Sequence, residues 1–166
     1  MTDDPTPEVL ATSEARRAHA DDIPLHRLLQ LDWQRTLDGD GVAEVRMPVQ
    51  PDAFGFSANL HGGAIATMVD LACALAAARS TDFDPTKQSL VTADMHVRYL
   101  GRARTSTVIA RAKVVRAGST LIVVECKVTD DDANLVACAD FSMMIVPLRL
   151  PLAPDQHRGE PGDPDL

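Results

Sequence analysis

HGGAIATMVDLACALAAAR, residues 61–79, decides how this chain folds. Between Gly62 and Ala78 every side chain is small or apolar except Thr67 and Asp70, and Asp70 is the only acidic or basic residue. Alanine, leucine and methionine lose little freedom in a helix, so the segment predicts a long helix over about residues 62–79. A helix without a polar face must be surrounded by other structure. A membrane span is the poorer reading, because a central Asp costs about 2.5–3.5 kcal/mol on insertion scales and Ala and Gly recover little.

Working outward, the chain before this helix begins with Pro24–Leu31, expected as a short helix with Pro24 in its first turn and Leu25, Leu28 and Leu29 as one apolar stripe. A hairpin signal follows: LDWQRTL, a turn at Asp38-Gly39-Asp40-Gly41, then VAEVRMPV, in which Ala43, Val45 and Met47 alternate with polar or outward positions. Residues 50–60 form a loop. Beyond the helix, strands are expected at Leu90–Leu100, Thr105–Arg116, Thr120–Thr129 and Leu135–Val146. In the first of these Val91, Ala93, Met95, Val97 and Tyr99 occupy one face, opposite Thr92, Asp94, His96 and Arg98. The turns at Arg116–Ser119 and Asp130–Asn134 favour antiparallel pairing. The expectation is an α+β fold, a curved antiparallel sheet wrapped around one long central helix. One domain over residues 23–148 accounts for it, between a flexible segment 1–22 and a flexible Pro-rich tail 149–166.

Composition narrows the function. A net charge of −8 and a pI near 4.9 oppose nucleic-acid binding, which needs a basic field. Cys73, Cys126 and Cys138 are too scattered for a disulfide framework and sit in apolar runs as small core residues, which suits a reducing cytoplasm. The opening MTDDPTPEVL lacks the features of a signal peptide. The Asp130–Asp132 run matches no calcium loop and reads as a solvated turn, so no metal is expected.

The acid in the helix is the anomaly. Asp70 either caps or pairs structurally, or serves as a general base or nucleophile in a dry setting. His61-Gly62-Gly63 at the helix start tips the balance. Its free N–H groups can polarise a carbonyl oxygen, and glycine lets a ligand approach. From Gly62 to Asp70 is eight residues, about 12 Å at 1.5 Å per residue, too far for one small reacting group. If both features share a site, Asp70 must meet the helix start of a second copy. Two antiparallel helices across a two-fold axis achieve this, which predicts an obligate homodimer with composite sites.

NLHGGAIATMVDLACALAA followed by LVTADMHVRYL resembles the hotdog-fold acyl-CoA thioesterases of the PaaI and THEM2 type, in the 4HBT superfamily, over roughly residues 24–146. The resemblance implies hydrolysis of an acyl-CoA to a free acid and coenzyme A, with CoA present as part of the substrate and no separate cofactor. It places Asp70 as the catalytic carboxylate, the Gly62 N–H on the thioester carbonyl, and Thr92 as the hydroxyl that positions water or nucleophile. His61 and Gly63 support the helix start. The turn Arg116-Ala117-Gly118-Ser119-Thr120-Leu121 resembles the one that contacts CoA, and Tyr99 joins Arg116, Gly118, Ser119 and Thr120 as substrate-binding positions. In the family the acid and the helix terminus come from different subunits, commonly in a dimer of dimers.

Three positions depart from the pattern. Six residues before the HGG histidine, where the family carries Asn or Gln, stands Gly55, and Ala58 replaces a usual Gly. Either Asn59 reaches in through a rearranged loop or the second polar contact is missing. Loss of one oxyanion donor costs about 10²–10³ in rate. Arg102 stands where the family often has Pro and reads as a solvated turn residue. Two alternatives remain: a non-catalytic acyl-CoA sensor, made more plausible by Gly55, and a hydratase or dehydratase, whose His–acid motif the HGG segment does not reproduce. No Ser-His-Asp order, P-loop or dinucleotide fingerprint is present. The expected location is the cytoplasm.

Overall fold

The computed structural model describes residues 23–33, 41–82, 84 and 86–148. The expectations for segments 1–22 and 149–166, and for the turn at Asp38–Asp40, fall outside these residues. Along the chain come α1 (Pro24–Leu28), β1 (Val42–Pro48), a 3-10 turn (Pro51–Ala53), α2 (Gly62–Ala78), β2 (Gln88–Tyr99), β3 (Thr107–Ala117), β4 (Leu121–Asp130) and β5 (Leu135–Pro147). The strands form one antiparallel sheet in the order β1-β3-β4-β5-β2. It curls around α2 as a half-barrel, the hotdog architecture.

Alternation builds the core. Ala43, Val45 and Met47 of β1, Val108, Ala110 and Ala112 of β3, Ile122, Val124, Cys126 and Val128 of β4, and Ala139, Phe141 and Met143 of β5 are buried in one cluster with α2. Fully burying a side chain of this size contributes about 1.5–3 kcal/mol. From the helix come Ile65, Met68, Val69, Leu71, Ala72, Cys73, Ala76 and Ala77. Cys73 and Cys126 are core residues, as expected. A hydrogen bond to Cys126, burial and the nearby negative charges together push the Cys73 thiol far up, so it stays protonated beside Asp70.

Several expectations need correcting. α1 is only five residues long, and of its expected stripe only Leu29, just past its end, reaches the core; Leu25 and Leu28 are exposed. The arm before β1 contributes an isolated antiparallel bridge, Asp32 with Arg46, while β1 finds its regular partner in β3. Trp33 is nevertheless buried. Asp130 is no solvated turn residue. Its carboxylate is 1% exposed and accepts from the backbone N–H groups of Arg104, Asp132 and Asn134 and from the Asn134 amide. Burial pushes its pKa up, but these hydrogen bonds outweigh it and hold the group below the usual Asp value.

Nor is α2 surrounded. Gly63, Ala66, Thr67, Asp70, Ala74 and Ala78, spaced three and four apart, form a stripe that is half-buried or exposed. Beside it, β2 is an edge strand whose burial does not alternate; Val91, Met95 and Tyr99 are all exposed. The outer edge of β1 is partly covered by the Asp32 bridge, whereas β2 has no outer partner among the described residues.

Candidate active site

The start of α2 is built by its own side chains. His61 is the N-cap: its Nδ1 accepts the Gly63 N–H at 2.8 Å, and an accepting ring nitrogen carries no proton. The expectation of two free glycine amides is therefore half right, because Gly63 spends its N–H on this cap. The Gly62 N–H has no partner among the described residues. A side chain at either glycine would be crowded. A Cβ at Gly63 would lie 3.0 Å from His61 Nδ1, and one at Gly62 would lie 3.3 Å from Tyr99 Cζ. The Tyr99 hydroxyl donates to the Gly62 carbonyl oxygen at 3.0 Å.

The loop before the helix is a closed miniature hairpin. Phe54 bridges Leu60, Gly55 N–H donates to Asn59 O at 2.8 Å, and Ala58 takes a left-handed φ of 52°. A non-glycine residue there carries a steric cost. Asn59 turns away from the helix start, its amide donating to Ser57 O and Oγ, both at 2.9 Å. Gly55 lies against His61, and a Cβ there would meet the ring at an ordinary 3.5 Å. Of the two possibilities left by the departure at Gly55, a reaching Asn59 is not the one realised.

Asp70 sits on the open stripe, half-buried. Thr92 Oγ1 donates to its Oδ1 at 3.0 Å, and Oδ2 has no partner among the described residues. How Thr92 gets there corrects the simple alternation. The β2–β5 register slips between Thr92 and Asp94, so Ala93 is an inserted bulge residue. Before it Leu90 and Thr92 lie opposite Ile145 and Met143, and after it Met95 and Val97 lie opposite Phe141 and Ala139. Met143, Phe141 and Ala139 are buried against α2. A bulge changes which face successive residues take. Thr92 thus shares the helix-facing side with Met95, Val97 and Tyr99, while Val91, Asp94, His96 and Arg98 face away.

The four turn positions lie elsewhere. Gly118 and Ser119 line a cleft of about 330 Å³ with Ser80, Thr81, Asp82 and Gln88, at the far end of α2. A Cβ at Gly118 would lie 2.8 Å from Leu121 O, so the tight turn itself demands glycine. Arg116 and Thr120, in the same turn, are exposed. In one copy the structure therefore joins Thr92 to Asp70, and His61 and Tyr99 to the Gly62–Gly63 peptide, but leaves these groups and the cleft apart. Sequence reasoning missed the Ala93 bulge, the Tyr99 contact and the burial of Asp130. Only the last had a signal: 122, 124, 126, 128 and 130 continue one buried period. Among the described residues no three His, Cys, Asp or Glu gather as metal ligands, and no helix is long and apolar enough to cross a membrane.

Comparison with known proteins adds a lineage to this geometry. The family model described as thioesterase superfamily, 4HBT, matches residues 58–137, a span holding the helix start, Asp70, Thr92 and the 116–120 turn. A Halobacterium salinarum protein named "Putative esterase VNG_1336C" is 34% identical over 115 residues, covering 68% of this chain and 74% of that protein. The structure of BH2602 from Bacillus halodurans, solved with CoA, superposes with a TM-score of 0.66 at 26% identity, covering 82% of this chain and 85% of that one. E. coli PaaI shares the fold, with a TM-score of 0.67 at 19% identity over 80% of this chain and 91% of its own. With its sheet, its HGG-capped helix and these relatives taken together, the chain belongs to the 4HBT thioesterase superfamily, a family of hotdog-fold hydrolases.

Proposed function

We propose that this protein is an acyl-CoA thioesterase working as a homodimer with composite sites. The observation that carries the reading is the Thr92–Asp70 hydrogen bond on the one helix face left open, with the second carboxylate oxygen unengaged. A two-fold axis passing near Ala66, midway between residues 62 and 70, brings Asp70 of one copy to the free Gly62 N–H of the other. Ala66 is small and lies on the open stripe, which permits close approach. The exposed edge of β2 beside it offers unpaired backbone groups for a matching strand. A dimer of dimers is compatible with this pairing.

In such a site the Gly62 N–H, strengthened by the positive end of the α2 dipole, receives the charge that develops on the thioester oxygen. Asp70 takes a proton from the attacking water, or attacks the carbonyl carbon itself to give an anhydride that water then opens. Thr92 holds Oδ1 and leaves Oδ2 to act. The C–S bond breaks, the thiol leaves with a proton, and the acyl group departs as the acid. The cleft at Ser80–Asp82 and Gly118–Ser119 offers hydroxyl and amide partners suited to the amide-bearing arm of CoA, with the exposed Arg116 in the same turn as Gly118. Lys87 nearby is already paired to Asp84 at 3.0 Å. The source of the CoA assignment is the family and the CoA-bound relative.

The test is release of free thiol from a panel of acyl-CoA substrates. Asp70→Asn should abolish it, while Lys127→Ala on the outer face of β4 leaves it intact. Ala66→Arg should convert the dimer to monomers on sedimentation and remove activity at the same time; a fully active monomer would overturn the composite site. A second reading, an acyl-CoA sensor, is favoured by one observation: Asn59 is turned back onto Ser57, so nothing replaces the amide absent at Gly55. Tight acyl-CoA binding without thiol release would select it. Because a Cβ at Gly55 would make only ordinary van der Waals contact with His61, Gly55→Asn should raise turnover if the enzyme reading holds.

A further inference from the structure

The peptide joining Gly62 and Gly63 is gripped at both ends. Its N–H donates to His61 Nδ1 at 2.8 Å and its C=O accepts from the Tyr99 hydroxyl at 3.0 Å. The next amide back is the free Gly62 N–H. As the first carbonyl of α2, the Gly62 oxygen already serves the helix amide four residues on. The tyrosine bond is therefore not needed to satisfy a stranded acceptor.

We propose that Tyr99 is a positioning residue for the Gly62 amide: by holding the 62–63 peptide against the His61 cap it fixes the direction of the neighbouring N–H that receives the substrate oxygen. The proposal rests on the thioesterase reading above. Two features support it. The ring lies 3.3 Å from where a Cβ on residue 62 would stand, so the phenol packs closely against a glycine there as well as bonding it. The same strand also reaches the acid, since Thr92, near the other end of β2, bonds Asp70. One edge strand thus sets both reacting points of α2, and side chains aimed at a developing charge act through such pre-set geometry. Tyr99 is 53% exposed in the single chain, so its phenol contributes little as core packing. This differs from the direct substrate contact expected for Tyr99 from the sequence.

Tyr99→Phe in the full chain keeps the ring and removes only the O–H. The expected result is a kcat lowered about three- to tenfold, the worth of one hydrogen bond, with KM for acyl-CoA unchanged and faster hydrogen exchange at the Gly63 N–H. Wild-type kcat together with wild-type exchange overturns the proposal. A raised KM at constant kcat also overturns it, in favour of direct substrate contact. Asp70→Asn is run alongside. If wild type and Asp70→Asn both fail to release thiol, the thioesterase reading has failed by itself, and Gly63 exchange in Tyr99→Phe still decides whether Tyr99 holds the peptide.

Discussion

Strands β4 and β2 look alike as sequence, since both alternate apolar and polar residues, yet they behave differently in the fold. β4 lies at the centre of the sheet, and Ile122, Val124, Cys126, Val128 and Asp130 point without interruption into the core. β2 lies at the edge, is broken by a bulge at Ala93, and leaves Val91, Met95 and Tyr99 exposed. The difference teaches where stability and chemistry are invested. The central strand is paired on both sides without skipping a residue of its own; the irregularities it meets fall on its neighbours, at Val115 of β3 and Val136 of β5. The edge strand, held on one side only, leaves Ala93 unpaired, and that bulge keeps Thr92 on the Asp70 side, where unbroken pairing through Ala93 would put it outside.

Breaking this contrast starts at the core. Ile122→Ala should cost about 2–5 kcal/mol in urea unfolding, whereas Val91→Ala on β2 should stay within about 0.5 kcal/mol, as for ordinary surface changes. Equal costs would erase the distinction between the strands. Next in size, deletion of Ala93 closes the bulge but leaves Thr92 beside Asp94 and opposite Met143, still facing α2, so turnover should fall no more than about tenfold, the scale of one hydrogen bond, while circular dichroism still reports a sheet. Thr92→Val leaves the bulge in place and should cost about three- to tenfold in kcat, the value of the single bond it deletes, with the unfolding midpoint unmoved.

The smallest effect concerns the polar end of β4. Asp130 has a lowered pKa in the folded chain, so its carboxylate stabilises the fold fully above the ordinary Asp value of about 3.9 and progressively less as pH falls through the folded value. Asp130→Asn should therefore melt below wild type at neutral pH, with the gap closing in acid. A gap that stays constant from neutral pH down to strongly acidic buffer would show that the charge contributes nothing there.

Much of this molecule was legible in the residues. The helix at 62–78 follows from an unbroken run of small apolar side chains, and β3, β4 and β5 from alternation bounded by turn chemistry at 116–119 and 130–134. Asp70 stood out because a lone acid in such a helix needs a reason. Other features were not legible. The arm at residues 31–37 read as half of a hairpin, but β1 takes β3 as its regular partner, more than fifty residues away in sequence, and among the arm's described residues only Asp32 pairs with it. The helix-facing side of Thr92 was misread for the same kind of reason, because periodicity assumes an unbroken register.

What the sequence determined by itself was the set of elements and the chemistry gathered on one of them: a helix whose first amide is free and whose middle carries an acid. Those follow from local propensity and spacing, which neighbouring residues are enough to encode. Only the tertiary structure decided that one stripe of that helix stays open, that Gly63 and Asn59 spend their hydrogen bonds locally, and that Thr92 and Tyr99 reach α2 from the same strand. The reach of Thr92 and Tyr99 depends on register across the sheet, and a bulge at a single residue reverses the side from which every side chain before it points.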